Sequence, residues 1–130
     1  MINNINSPLV NNIRNRALTV IKDPSKCIKG EKVLRTWTFP NNNPSSGQVL
    51  YTKKLNNGYK KITLVTANAD ERIPTIGIDS RIINPNGDIT NHFYGMRGIT
   101  NFSIKGLENI QKHINSVIRY NKNIDFLPLY

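Results

Sequence analysis

From Thr75 to Ile118 the chain reads TIGIDSRII, NPNGD, ITNHFYGMRGITNF and SIKGLENIQKHINSVI without interruption. The periodicity of this stretch decides the fold. Ile76, Ile78 and Ile82 share one face of an extended segment and Thr75, Asp79 and Arg81 share the other, because side chains alternate along a strand. Asn84-Pro85-Asn86-Gly87 then supplies turn chemistry: proline presets φ, and Asn and Gly tolerate positive φ. The run predicts a hairpin. Further on, Leu107, Ile110, Ile114, Val117 and Ile118 recur at three- and four-residue spacing. Glu108, Gln111, Lys112, Asn115 and Arg119 lie off that stripe, which predicts an amphipathic helix. Ser103 is placed to cap its start, and Arg119 with Lys122 brings positive charge to its end, where the dipole favours cations. The stripe needs a partner surface, and the isoleucine face of the hairpin offers one.

The succession GIDSRIINPNGDI, YGMRGITNF and helix resembles the C-terminal module of the transcriptional positive-coactivator family, single-stranded DNA binders related to the whirly-type proteins. The likeness spans roughly residues 59–120. It rests on three pieces that agree in order and spacing: Ile78-Asp79, Pro85-Asn86-Gly87 and Arg97-Gly98-Ile99-Thr100. The resemblance implies a curved antiparallel sheet backed by a helix, dimerisation through the helices, and single-stranded DNA as ligand. It also implies contact roles for Arg97, which matches the family's basic residue before Gly-Ile, and for Arg72, in the loop where the family carries lysines. Ile82-Ile83 stand where the family stacks an aromatic ring before the turn, so stacking rings must come from other strands.

Length and charge agree with such a partner. A chain of 130 residues suits one domain. Eighteen Lys and Arg against eight Asp and Glu leave a net charge of +10 and a pI near 10.0. Such a field attracts polyanions, of which nucleic acid is the commonest; docking on an acidic protein is the bland alternative. Cys27 is the only cysteine, so no internal disulfide can form, a cysteine-based metal site is disfavoured, and a reducing, intracellular setting is expected. No run is apolar enough for a membrane span and MINNINSPLVNNIRNR lacks a secretory hydrophobic core, so no membrane partner is expected. No motif implies a cofactor: P-loop, dinucleotide fingerprint, nucleophile elbow and HExxH are all missing.

Upstream, residues 1–12 read as a polar, asparagine-rich arm, and residues 13–130 as a single nucleic-acid-binding domain. IRNRALTVI, from Ile13 to Ile21, fits a short helix or an extended piece, with Arg14 and Arg16 either contacting nucleic acid or forming a solvated face. Three strands are expected before the hairpin: Val33 to Phe39, Val49 to Leu55 and Tyr59 to Ala67, the last with Ile62 and Leu64 on its core side. Pro40 to Gly47 reads as a loop, and Asn57-Gly58 as a two-residue hairpin turn. The expected class is α+β, a curved antiparallel sheet of about five strands backed by one long C-terminal helix.

One helix covers one side of a sheet. The other side is expected to carry Arg35, Trp37, Tyr51, Lys53, Tyr59, Lys61 and Arg81, with Arg72 and Arg97 in adjoining loops. Cations neutralise phosphates and rings stack on bases, a chemistry tolerant of sequence. The alternative reading makes Trp37 and Phe39 core or interface residues and the lysine pairs guards against strand-edge aggregation. The apolar tail from Ile124 to Tyr130 suggests packing on its own domain or on a second subunit, hence a homodimer or larger homo-oligomer. The expected function is sequence-tolerant binding of single-stranded DNA or RNA in transcription, replication or repair. Its rivals are a small viral coat or nucleoid protein that packages nucleic acid, and a metal-independent ribonuclease toxin using His92 and His113 with a lysine. Against the last, His113 borders the apolar stripe, His92 has no acid nearby in sequence, and Asp79 reads as an ion-pair partner of Arg81.

Overall fold

The computed structural model describes residues 8–38, 44–69, 75–95 and 103–119. Met1 to Ser7 of the expected arm, Phe39, Asp70-Glu71, Arg72, Arg97 and the tail from Ile124 to Tyr130 lie outside the described residues. Helix α1 (Pro8–Lys22) comes first, followed by strands β1 (Glu31–Thr38), β2 (Pro44–Lys54), β3 (Lys60–Asn68), β4 (Thr75–Ile83) and β5 (Ile89–Gly95), then helix α2 (Ile104–Arg119). The strands pair in sequence order as one five-stranded antiparallel sheet, so the α+β class expected from the sequence is found. Among the described residues no helix is long and apolar enough to cross a membrane.

Two helices, not one, back the sheet. Pro8 occupies the first position of α1, where its missing N–H costs nothing. Val10, Ile13, Ala17, Val20 and Ile21 recur along one stripe and are fully or almost fully buried. The residues from Pro8 to Asn12 therefore belong to α1 and not to an arm, because Val10 is part of the stripe that α1 lays on β2 and β3. Opposite it stand Val49, Val65, Ala67, Ile76 and Ile78 of the sheet. Each fully buried Val or Ile contributes roughly 1.5–3 kcal/mol.

Helix α2 forms where the sequence places it. Ser103 Oγ accepts from the Gly106 N–H at 3.0 Å, and Leu107, Ile110, Ile114 and Val117 are buried. It lies across the strands. A Cβ on Gly106 would stand 2.6 Å from the Phe93 ring of β5, and one on Gly30, just before β1, would stand 2.9 Å from Val117.

Both turns behave as read. Asn57 and Gly58 adopt φ of 60° and 78°, with the Tyr59 N–H donating to Asn56 O. Asn84 Oδ1 accepts from the Asn86 and Asp88 N–H groups, and Gly87 takes a φ of 91°. The expected loop from Pro40 to Gly47 is shorter than anticipated, since β2 begins at Pro44 and Ser46 and Gly47 pair with both neighbouring strands.

One charged pair is buried within this frame. Arg16 of α1 meets Glu31 at the head of β1 through two contacts, Nε to Oε2 at 2.9 Å and Nη2 to Oε1. Arg16 also donates to Lys26 O at 3.1 Å, and Glu31 Oε1 accepts the Ile28 N–H at 3.1 Å. Arg16 is thus removed from any role at a nucleic-acid surface, and Arg14 is half-buried and donates to Asn11 Oδ1 at 3.0 Å. Replacing Arg16 with Met leaves a buried carboxylate without its partner, and urea unfolding should show a loss of about 3–5 kcal/mol. The double replacement Arg16→Met/Glu31→Leu should recover most of that loss. A single variant within about 1 kcal/mol of wild type would show that the pair does not hold α1 in place.

Candidate nucleic-acid interface

The strand register sorts the side chains of the sheet between two faces. Rows Val33–Val49–Val65–Ile78 and Glu31–Tyr51–Thr63–Ser80–Phe93 look toward the helices. The opposite face, covered by neither helix, carries the rows Lys32–Leu50–Leu64–Asp79–Tyr94 and Thr52–Ile62–Arg81–His92.

Arg35 and Trp37 reach this uncovered face through a bulge. Val33 pairs with Val49 but Arg35 pairs with Gln48, so Leu34 is an extra residue and the alternation of β1 reverses after it. Gly47 permits the close approach, because a Cβ there would lie 2.4 Å from Arg35 O. Trp37 is 40% exposed and the Arg35 guanidinium carbon sits 5.8 Å from its ring centroid, a cation–π arrangement that leaves ring surface accessible.

Across the sheet, Asp79 organises a second polar group. Arg81 donates to its two oxygens at 3.0 and 2.8 Å, and His92 Nε2 lies 2.7 Å from Oδ1. The Arg81 hydrogen bonds pull the Asp79 carboxyl below its usual pKa; partial burial opposes them and His92 adds to the lowering. Asp79 is therefore ionised at neutral pH. The His92 and Tyr94 rings stand 6.0 Å apart, and Tyr94 is 59% exposed.

Several residues expected on this face lie elsewhere. Tyr51 is fully buried on the helix side, its hydroxyl has no hydrogen-bond partner among the described residues, and burial raises its pKa well above the ordinary value. It cannot stack on a base. Lys53 and Lys61 pair with each other on the helix side near α2, and Tyr59 is half-buried beside the hairpin turn. Ile62 and Leu64, expected in the core, belong to the uncovered face, and Thr63, Val65 and Ala67 take the core side. Of the expected set, the sheet brings Arg35, Trp37 and Arg81 to one face. Sequence reasoning missed Tyr94 and Lys32 there, although Tyr94 follows from pairing Asp79 across the NPNGD turn.

The two histidines do not meet. His92 is on the uncovered face and has an acid partner, Asp79, brought by register and invisible in the linear sequence. His113 is buried beneath α2, and neither ring nitrogen makes a hydrogen bond among the described residues. The ribonuclease arrangement of paired histidines is thus not assembled.

Burial first and then the charge of Lys61, with Lys53 adding, push His113 down to about 4 from 6.5, against an opposing contribution from the Tyr51 backbone. The unfolded chain takes up this proton near pH 6.5 and the folded chain only near 4, so stability should fall as pH drops through that window. The loss should reach on the order of 3 kcal/mol and stop growing below the folded value. Urea midpoints between pH 7 and 4 should be flatter for His113→Leu than for wild type. Parallel profiles would mean that the imidazole is protonated without cost in the folded protein.

No family model, curated protein or solved structure matches this chain.

Proposed function

We propose that the protein binds single-stranded nucleic acid, with little dependence on sequence, on the uncovered face of its sheet. The observation that carries this reading is the exposure of Trp37 and Tyr94 on a face that also presents Arg35, Lys32 and Arg81. Among the described residues Asp79 is the only acid on that face, and it is already held by Arg81 and His92. Rings offer stacking surfaces to unpaired bases, whose faces a duplex keeps covered, and the cations meet phosphates. The order of Ile78-Asp79, Pro85-Asn86-Gly87 and Arg97-Gly98-Ile99-Thr100 supports a role like that of the single-stranded DNA-binding coactivators in transcription, replication or repair. A homodimer is the proposed working form; β1 and β5 are the edges of the sheet among the described residues.

Fluorescence anisotropy with labelled single- and double-stranded oligonucleotides of matched length, over a salt series, tests the reading. Single strands should bind more tightly, with a log–log salt slope of about −0.7 per phosphate contact. Trp37→Ala and Tyr94→Ala should each weaken binding roughly 5- to 150-fold, while Tyr51→Phe should leave it unchanged. Equal, weak binding to both forms, with Trp37→Ala silent, would reduce the positive charge to a generic field.

A further inference from the structure

The β2–β3 hairpin holds an arrangement that ordinary sheet energetics disfavours. Lys53 pairs directly with Lys61 and Lys54 with Lys60, two like-charged cross-strand pairs in succession. Such pairs are destabilising when nothing lies between them. None of the four has an ion-pair partner among the described residues. Lys61 is half-buried, and desolvation first, then the Lys53 charge, lowers its pKa. Lys61 itself opens on a separate pocket beside Phe93 and Gly106, so Lys53 is the member of its pair that faces a groove at the hairpin end.

The groove opens beside Lys53, Lys54 and Lys60. It has a volume of about 680 Å³ and lies between the head of β1, the hairpin end and the last turns of α2. Lys53, Lys54, Lys60 and Lys29 line it together with Ser116 and the Thr52 backbone, and among the described lining residues there is no Asp or Glu. Its wall is fixed: Thr52 donates to Gly30 O at 2.8 Å, and Gly30 packs against Val117 in a backbone conformation, φ 93°, suited to glycine. The carbonyl end of α2 adds a partial negative charge but no full counter-ion. Among the described residues no aromatic ring lines it, so it suits charge and not a base.

We propose that this groove is a binding site for two or more linked phosphate groups, distinct from the uncovered sheet face and independent of the function proposed for that face. The Lys53, Lys54 and Lys60 ammonium groups neutralise successive phosphates, and Ser116 donates to a remaining oxygen. The same chemistry is offered by a free oligophosphate and by a nucleic-acid backbone that turns past the hairpin end.

Thermal unfolding with tripolyphosphate, at ionic strength matched with sodium chloride, tests the site. The midpoint of the wild type should rise by several degrees, and that of Lys53→Gln/Lys60→Gln should not. The ligand-free midpoint of this variant should equal or exceed the wild-type value, since like-charge repulsion has been removed. Lys105→Gln/Lys112→Gln removes the same charge from the exposed face of α2 and should keep the full response. An equal rise in the groove variant, an equal loss in the α2 variant, or the same rise with sulfate would overturn the proposal. The source is read from oligonucleotide binding. If the groove variant lowers the salt slope by about 1.4, two contacts' worth, the phosphates are those of a backbone. If the slope is unchanged while tripolyphosphate still distinguishes the variants, they belong to a free oligophosphate.

Discussion

The buried pair of Arg16 and Glu31 is the constraint on which the arrangement of layers depends. Glu31 begins a row of largely buried polar side chains, Glu31, Tyr51, Thr63 and Ser80, that runs across the helix side of the sheet. A carboxylate there must be neutralised and bonded, because an isolated buried charge costs several kcal/mol. Only when α1 lies with its Val10–Ile21 stripe on β2 and β3 does Arg16 reach the head of β1. The pair therefore selects which face α1 covers, and by doing so leaves the other face covered by neither helix. As with other buried ion pairs, its contribution to net stability is modest compared with the cost of breaking it.

That selection also explains which parts of the molecule were legible in the sequence. The hairpin turn, the Asn57-Gly58 turn and α2 follow from local chemistry, and each was found where the pattern put it. The alternation of β2 and β3 was also read correctly, with Tyr51 beside Lys53 and Thr63 beside Lys61. What alternation cannot supply is which of the two sides is covered. Both faces of β3 are apolar, Ile62 and Leu64 on one and Val65 and Ala67 on the other, so hydrophobic pattern does not decide. Lysines at the hairpin end suggested exposure for the whole row, although a lysine at the rim of a covered face keeps its stem under a helix and its head outside. The polar row that needed Arg16 was decisive, and no window of neighbouring residues reveals a contact between positions 16 and 31.

The bulge at Leu34 is a second instance of the same limit. It reverses the alternation of β1 and carries Arg35 and Trp37 to the uncovered face, whereas a regular strand would have put them under the helices with Val33. Gly47 allows this by accepting the Arg35 carbonyl where a side chain would stand. Backbone irregularity in β1 is thus set by a residue on β2, so the candidate site depends on a non-local pairing. The N-terminal part of α1 escaped for a different reason: asparagines depress helix propensity, and tertiary burial of Val10 overrides them.

The distribution of acids explains why a net charge of +10 acts mainly through lysine. Glu31 is spent inside on Arg16, Asp79 is divided between Arg81 and His92, and Asp23 holds the Ser25 hydroxyl at 2.6 Å. Carboxylates that fix structure are therefore placed beside arginines or backbone turns, and among the described residues the lysines of the β2–β3 hairpin face one another without them. Arginine's planar fork suits the fixed, bidentate contacts at Glu31 and Asp79; lysine's flexible, hydrated head suits a ligand that comes and goes. Among the described residues the two kinds of cation thus differ in placement, Arg16 and Arg81 held by carboxylates and the hairpin lysines paired only with one another.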